Sequence, residues 1–235
     1  MKCLLKLIDH FGRLHKKIME TGQTYHVFNH ANGREDLFPS VENYHHFLGK
    51  MHRHLSGPAE ILAFCLIPNH FHLAVKIPEK HLLEKMDSRF SEMTEEEAGS
   101  RITKRFSNLF SSHTLSVNRM YGRTGSLFRP NMKTKQVDDE SSLCKLIHYI
   151  HCNPVHHGLV KNMEDWPYSS FSMYKSMRKA LRSDDEVLKA FGGYEQFIRY
   201  HEQPIELKIS DTVAEGFFLK MTTPKKRAGK ILDLP

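Results

Sequence analysis

The stretch "EILAFCLIPNHFHLAVKI", residues 60 to 77, limits the fold more than any other part of the chain. Its first half is an unbroken apolar run, the pattern of a central strand buried on both faces. Pro68 and Asn69 interrupt it. The second half alternates, with Phe71, Leu73, Val75 and Ile77 on one side and His70, His72, Ala74 and Lys76 on the other. Such a strand buries one face and shows two imidazoles, spaced i and i+2, from the other. Two imidazoles on a rigid strand suit a divalent metal. They equally suit a solvated polar face, so a third ligand and a reactive group must decide.

The remaining patterns arrange themselves around this pair. Residues 1 to 20 carry Leu4, Leu7, Ile8 and Phe11 at helical spacing. "TYHVFNHA" reads as a strand, and "SVENYHHFLGKMHRHL" as a helix with Ser40 at its N-cap. Residues 78 to 100 are polar and acidic and read as a mobile excursion. A long helical pattern runs from Arg101 to Tyr121. "SLFRPNMKTKQV" reads as a strand in which Pro130 implies an edge or a bulge. "DDESSLCKLIHYIHCNP" reads as a helix ended by Pro154. Two further helices follow, the second with a Ser183/Glu186 capping box and a stop at Gly192-Gly193. This order predicts an α+β fold: a ferredoxin-like split βαβ sandwich with a central antiparallel sheet, helices mainly on one face, and a helical C-terminal extension.

Composition narrows the class. The 235 residues are 40% hydrophobic, enough for a sizeable core, and the net charge of +7 favours a polyanionic partner. Cys3, Cys65, Cys144 and Cys152 form no CxxC pair, which reads as free thiols in a reducing compartment. No leader pattern or membrane-length apolar run is visible, so a cytoplasmic location is expected.

The third ligand and the reactive group come from "LCKLIHYIHCNP". Leu143, Leu146, Ile147 and Ile150 make its apolar stripe. Tyr149 and Asn153 sit together on a flank of that stripe, one turn apart. They read either as a nucleophile beside an amide ligand or as a boundary tyrosine and a C-cap asparagine.

Taken in order, "YHVFNHANGREDLF", "FCLIPNHFHLAVKI", "GSLFRPNMK", "HYIHCNPVHHGLV" and "WPYSS" resemble the HUH-class single-tyrosine transposases, and within them the REP-associated tyrosine transposases. The matching blocks span residues 24 to 171, and the ordered set is far more specific than any one block. The chain has Asn153 where insertion-sequence relatives carry glutamine, and Met132 where an aromatic is common.

The resemblance implies a metal-dependent single-stranded DNA endonuclease and strand transferase acting through a 5′-phosphotyrosine intermediate at hairpin-containing sites. It assigns the nucleophile to Tyr149 and a Mg²⁺ or Mn²⁺ site to His70, His72 and Asn153. It implies a catalytic domain over residues 21–175, between an N-terminal helical extension (1–20) and a C-terminal helical extension with a basic tail (176–235). Expected partners are single-stranded or hairpin DNA and no membrane, within the nucleoid, with a homodimer left open. Arg129, Asn131, Lys133 and Lys135 alternate and would make one strand face basic, for phosphates or simply as a solvated edge. Lys225, Lys226 and Arg227 would extend that charge. His26 and His30 read as structural or as supports for the metal ligands. Trp166 reads as a core anchor. Two competing readings stand beside this one: a hairpin-binding protein whose catalysis has lapsed, and a metal phosphodiesterase that uses water while Tyr149 is only structural.

Overall fold

The structure is a computed structural model, and it describes residues 18–176 and 185–203. Four strands form one antiparallel sheet: β1 (Thr24–His30), β2 (Glu60–Ile67), β3 (His70–Lys76) and β4 (Lys133–Val137), in the spatial order β2-β3-β1-β4. Helix α1 (Val41–Leu55) connects β1 to β2, and α3 (Glu95–Tyr121) lies between β3 and β4. This is the ferredoxin-like topology that the element order predicts.

The alternation in β3 sorts the two faces. Phe71 lies under Phe47 of α1 and Phe110 of α3, at ring separations of 5.6 and 5.3 Å. Tyr44, Phe47, Met51 and Leu55 form the buried stripe of α1, and Ile102, Phe106, Leu109, His113 and Val117 that of α3. The opposite face receives α4 (Glu140–His156), which packs over β2 and β3. The short helices α6 (Glu186–Ala190) and α7 (Tyr194–His201) lie outside α4, so α4 is buried on more than one side.

Several details depart from the sequence reading. β2 is buried as its apolar run predicts, yet it is an edge strand. Residues 166–170 cover its edge. Leu66 N–H donates to the Tyr168 carbonyl (2.9 Å), Trp166 Nε1 donates to the Leu66 carbonyl (2.8 Å), and Phe64 N–H donates to Ser170 Oγ (2.9 Å). A periodicity argument sees the burial but not which neighbour supplies it.

Residues 78–100 are ordered structure rather than a mobile excursion. They hold α2 (Lys80–Met86), a 3₁₀ turn at Ser88–Phe90 and the first turns of α3, fixed by a Thr94/Glu97 capping box. Pro154 does not end α4, which continues to His156. The strand expected over "SLFRPNMKTKQV" is regular only at β4. Before it, Phe128 makes an isolated bridge to Ala31 and Asn131 takes φ 61°, so Arg129 and Asn131 fall outside the alternation.

The N-cap of α6 is Asp185, whose carboxylate accepts from Leu188 N–H. Ser183, the basic tail and residues 1–17 lie outside the described residues. Among the described residues no helix is long and apolar enough to cross a membrane.

Candidate functional site

The polar face of β3 and the flank of α4 meet. Strand alternation aims His70 and His72 toward α4, and the helix turn places Tyr149 and Asn153 above them. The Tyr149 ring stands edge-on to His72, with centroids 5.3 Å apart and planes at 81°. His70 and His72 are 5.2 Å apart and also perpendicular. All three polar side chains other than the phenol are nearly sealed, with His70 1%, His72 5% and Asn153 1% exposed. The sequence pattern had left open whether Tyr149 and Asn153 were surface residues of α4. Both face the imidazoles.

Asn153 ties the group together. Its Nδ2 donates to the Tyr149 carbonyl (2.9 Å). Burial raises the Tyr149 phenol above its ordinary pKa, and an opposing hydrogen bond from the Asn153 side chain lowers it. Burial likewise holds His70 well below the usual imidazole range, with His30 and His157 adding to the drop and a hydrogen bond from Asn153 opposing it. His72 is also held well below that range, first by burial and then by His26 and His70. Both imidazoles are therefore neutral near pH 7, the form that binds a cation.

The surroundings fix how each ring is turned. His72 Nδ1 shares a hydrogen bond with His26 Nε2 (2.9 Å), and His70 Nδ1 with Asn69 Oδ1 (2.9 Å). Partners at Nδ1 leave Nε2 as the coordinating atom, the arrangement that supports metal-binding histidines. His26 thus acts as a support for His72. Burial pushes its own pKa down to about 3, with the Lys135 charge adding to the effect. His30 stacks on His70 at 4.2 Å.

Among the described residues, no group of three or more His, Cys, Asp or Glu side chains is placed to hold a metal. The donor set here is two imidazoles and one amide, a neutral set that suits a divalent cation also bound by an anionic substrate.

Cross-strand register places the basic residues. Lys133 pairs with Phe28 and Lys135 with His26, while Phe28 pairs on its other side with His72. Lys133 and Lys135 are exposed and lie on the tyrosine's side of the sheet. Arg129 N–H donates to the His30 carbonyl (2.8 Å), and the Arg129 charge is one of the causes that lower the His30 pKa. Asn131 is exposed in the irregular approach to β4.

The sequence reading passed over Asn69, His157 and Phe28. His157 reaches His70 at 4.7 Å because α4 runs on past Pro154. Phe28 was within reach of simple alternation, since His26, Phe28 and His30 share one face of β1.

No family profile matches the sequence. The chain is 28% identical over 119 residues to a protein of Haemophilus influenzae named as a REP-associated tyrosine transposase, a match over 48% of this chain and 60% of that relative. It is 26% identical over 151 residues to the REP-associated tyrosine transposase of Escherichia coli strain K12, over 64% of this chain and 76% of that one. A solved REP-associated tyrosine transposase bound to a REP hairpin aligns with a TM-score of 0.46 at 20% identity, over 74% of this chain and 89% of that chain. With Tyr149 set against the histidine pair, and with these two curated relatives, the chain is a homologue of the REP-associated tyrosine transposases.

Proposed function

We propose that this protein cleaves and rejoins single-stranded DNA at hairpin-containing sites, with Tyr149 as the nucleophile. The observation that carries the reading is the Tyr149 ring set edge-on to His72, with Asn153 acting on both the phenol and His70. The names of its relatives support it, one of them described as bound to a REP hairpin.

In the proposed step Tyr149 Oη attacks the scissile phosphorus. A phosphotyrosine bond forms as the bond to the departing 3′-oxygen breaks. The phenolic proton ends on that oxygen, leaving a 5′-phosphotyrosine and a free 3′-hydroxyl. One phosphodiester replaces another, so attack by a later 3′-hydroxyl reverses the step without an energy source.

The residues fit a divalent cation, Mg²⁺ or Mn²⁺, held by His70, His72 and Asn153, which when bound would polarise the phosphoryl oxygen. His26 and Asn69 keep the two imidazoles turned toward that position. Asn153 has a second task, holding the phenol by one end of its amide while the helix fixes the tyrosine's backbone. The buried setting keeps Tyr149 protonated until substrate arrives, because its pKa lies above that of an ordinary phenol. Lys133 and Lys135 would carry the DNA backbone to the site.

The test is a labelled hairpin oligonucleotide library incubated with the full chain and Mn²⁺, then denatured and probed for covalent protein–DNA complexes. Wild type is expected to form an adduct and Tyr149→Phe to form none while still binding hairpins. Cleavage that survives in Tyr149→Phe would mean that water, not the phenol, attacks. Binding without cleavage in wild type would favour a hairpin-binding protein.

A further inference from the structure

We propose that Phe28 is a base-stacking residue that receives a nucleobase of single-stranded DNA beside the phosphate attacked by Tyr149. The proposal rests on the DNA-cleavage reading above and adds a binding site to it.

Phe28 is a large apolar ring in a place where the core does not need one. It is half-buried and lies on the sheet face opposite the one packed by Phe47 and Phe110. Its neighbours on that face are all polar: His26 and His30 along β1, His72 across to β3, and Lys133 across to β4. A phenylalanine serving only to fill the core would be ringed by aliphatic side chains.

The ring planes matter more than the composition. Phe28 stacks on His26 at 4.6 Å and 28°, and lies 5.7 Å from His72 at 26°. His26 and His72 are themselves 5.1 Å apart at 24°. Three rings are therefore nearly parallel, while Tyr149 stands edge-on to His26 and His72, at 78° and 81°. A set of parallel rings is extended most naturally by another flat π surface.

Charge identifies that surface. The strand next to Phe28 presents Lys133 and Lys135, both exposed and on the same face. Cations spaced along an aromatic floor fit a ligand with flat bases on an anionic backbone. In duplex DNA the base faces are already covered by their neighbours, so the ligand must be single-stranded at this point. Because every base has a π face, the contact orients the strand without choosing its sequence.

The experiment uses the full chain with Mn²⁺ and a hairpin oligonucleotide whose single-stranded flank carries 2-aminopurine at successive positions. Wild type is expected to quench the probe at one or two positions. Phe28→Leu keeps an apolar side chain but loses the ring. It should lose the quenching and weaken binding of the flank about tenfold, with an unchanged melting temperature. Phe28→Trp should restore both quenching and affinity. Unaltered quenching and affinity in Phe28→Leu would overturn the proposal. So would a fall in melting temperature that accounts for the lost binding and that tryptophan does not repair, since Phe28 would then be a packing residue. The covalent adduct, scored in parallel with Tyr149→Phe, reports on the parent reading. If that adduct behaves as expected while quenching ignores Phe28, only the stacking site falls. If it does not, the cleavage reading falls, and the quenching data still decide whether Phe28 meets a base.

Discussion

Gly99→Ala offers a sharp test of the packing, because local propensity and tertiary contact demand opposite signs. Gly99 lies inside α3, where alanine would ordinarily stabilise a helix by about 1 kcal/mol. Here an added Cβ would run into the Met19 carbonyl oxygen and lie 2.7 Å from Ile18 Cγ2. The obstacle is backbone, so the segment leading into β1 would have to withdraw. That segment is anchored. Met19 is fully buried, its N–H donates to Thr103 Oγ1 (3.0 Å), and Thr103 Oγ1 in turn donates to the Gly99 carbonyl (2.8 Å).

Overpacking costs about 1–3 kcal/mol. Stranding the Met19 N–H adds about 1–3 kcal/mol. Set against the propensity gain, the net loss is about 2 kcal/mol, or a melting temperature lower by about 4–8 °C for a chain this long. Gly49→Ala is the control. It sits exposed in α1 with nothing within 4 Å of an added Cβ, and should gain up to about 1 kcal/mol. Melting curves of both variants by circular dichroism decide the matter. A Gly99→Ala protein as stable as wild type, with Gly49→Ala behaving as stated, would refute the argument that residues 18–19 are held against α3.

Three further outcomes are expected. His113 is buried among Phe38, Phe47 and Phe128 with Nε2 against the Leu37 carbonyl, and burial lowers its pKa to about 4. A folded-state pKa below the unfolded value means stability that is complete above about pH 6.5 and drains away as pH falls toward 4, by about 2 kcal/mol at pH 5. His113→Phe should therefore flatten the loss of melting temperature between pH 7 and pH 5, and an equally steep profile would count against it. Ser170→Ala removes the acceptor for Phe64 N–H and the partner of His151 Nε2 (2.8 Å), which bonds on to His201 through Nδ1 (2.8 Å). It should cost about 2–3 kcal/mol in denaturant titration, and a loss under about 0.5 kcal/mol would show that these atoms find other partners. His70→Ala should abolish Mn²⁺-dependent cleavage of hairpin DNA while a fluorescence-anisotropy assay still detects binding, and normal cleavage at limiting Mn²⁺ would exclude His70 as a ligand.

The parts of the molecule legible in the sequence are those set by strong periodicity. β3 with its two faces, the apolar run of β2, and the stripes of α1 and α3 all follow from residue spacing. So does the pairing of His70 with His72. What escaped depends on neighbours that spacing does not name. The Trp166–Ser170 segment that covers β2 shows no regular pattern, because its work is done by a few hydrogen bonds. Residues 78–100 read as polar because their helices are short and mostly exposed, with only Leu83, Phe90, Ala98 and Gly99 buried in the structured turns. Pro154 was taken as a stop, but a helix can run on past a proline when the lost donor is offset by packing, and Pro154 is buried under the fold. The role of His26 was invisible for a different reason. Its partner is on another strand, and only register brings Nε2 to His72.

The capped edge of β2 gives the sheet two unlike ends. One is closed by the chain itself, and α4 roofs the β2–β3 half of the polar face. The other ends in β4, a short strand bearing two lysines that discourage another strand from pairing there. A long flexible polyanion is thus steered to a single doorway, entering over the lysines and halting at the phenol under the helix, so that direction of travel is built into the architecture before any base is read.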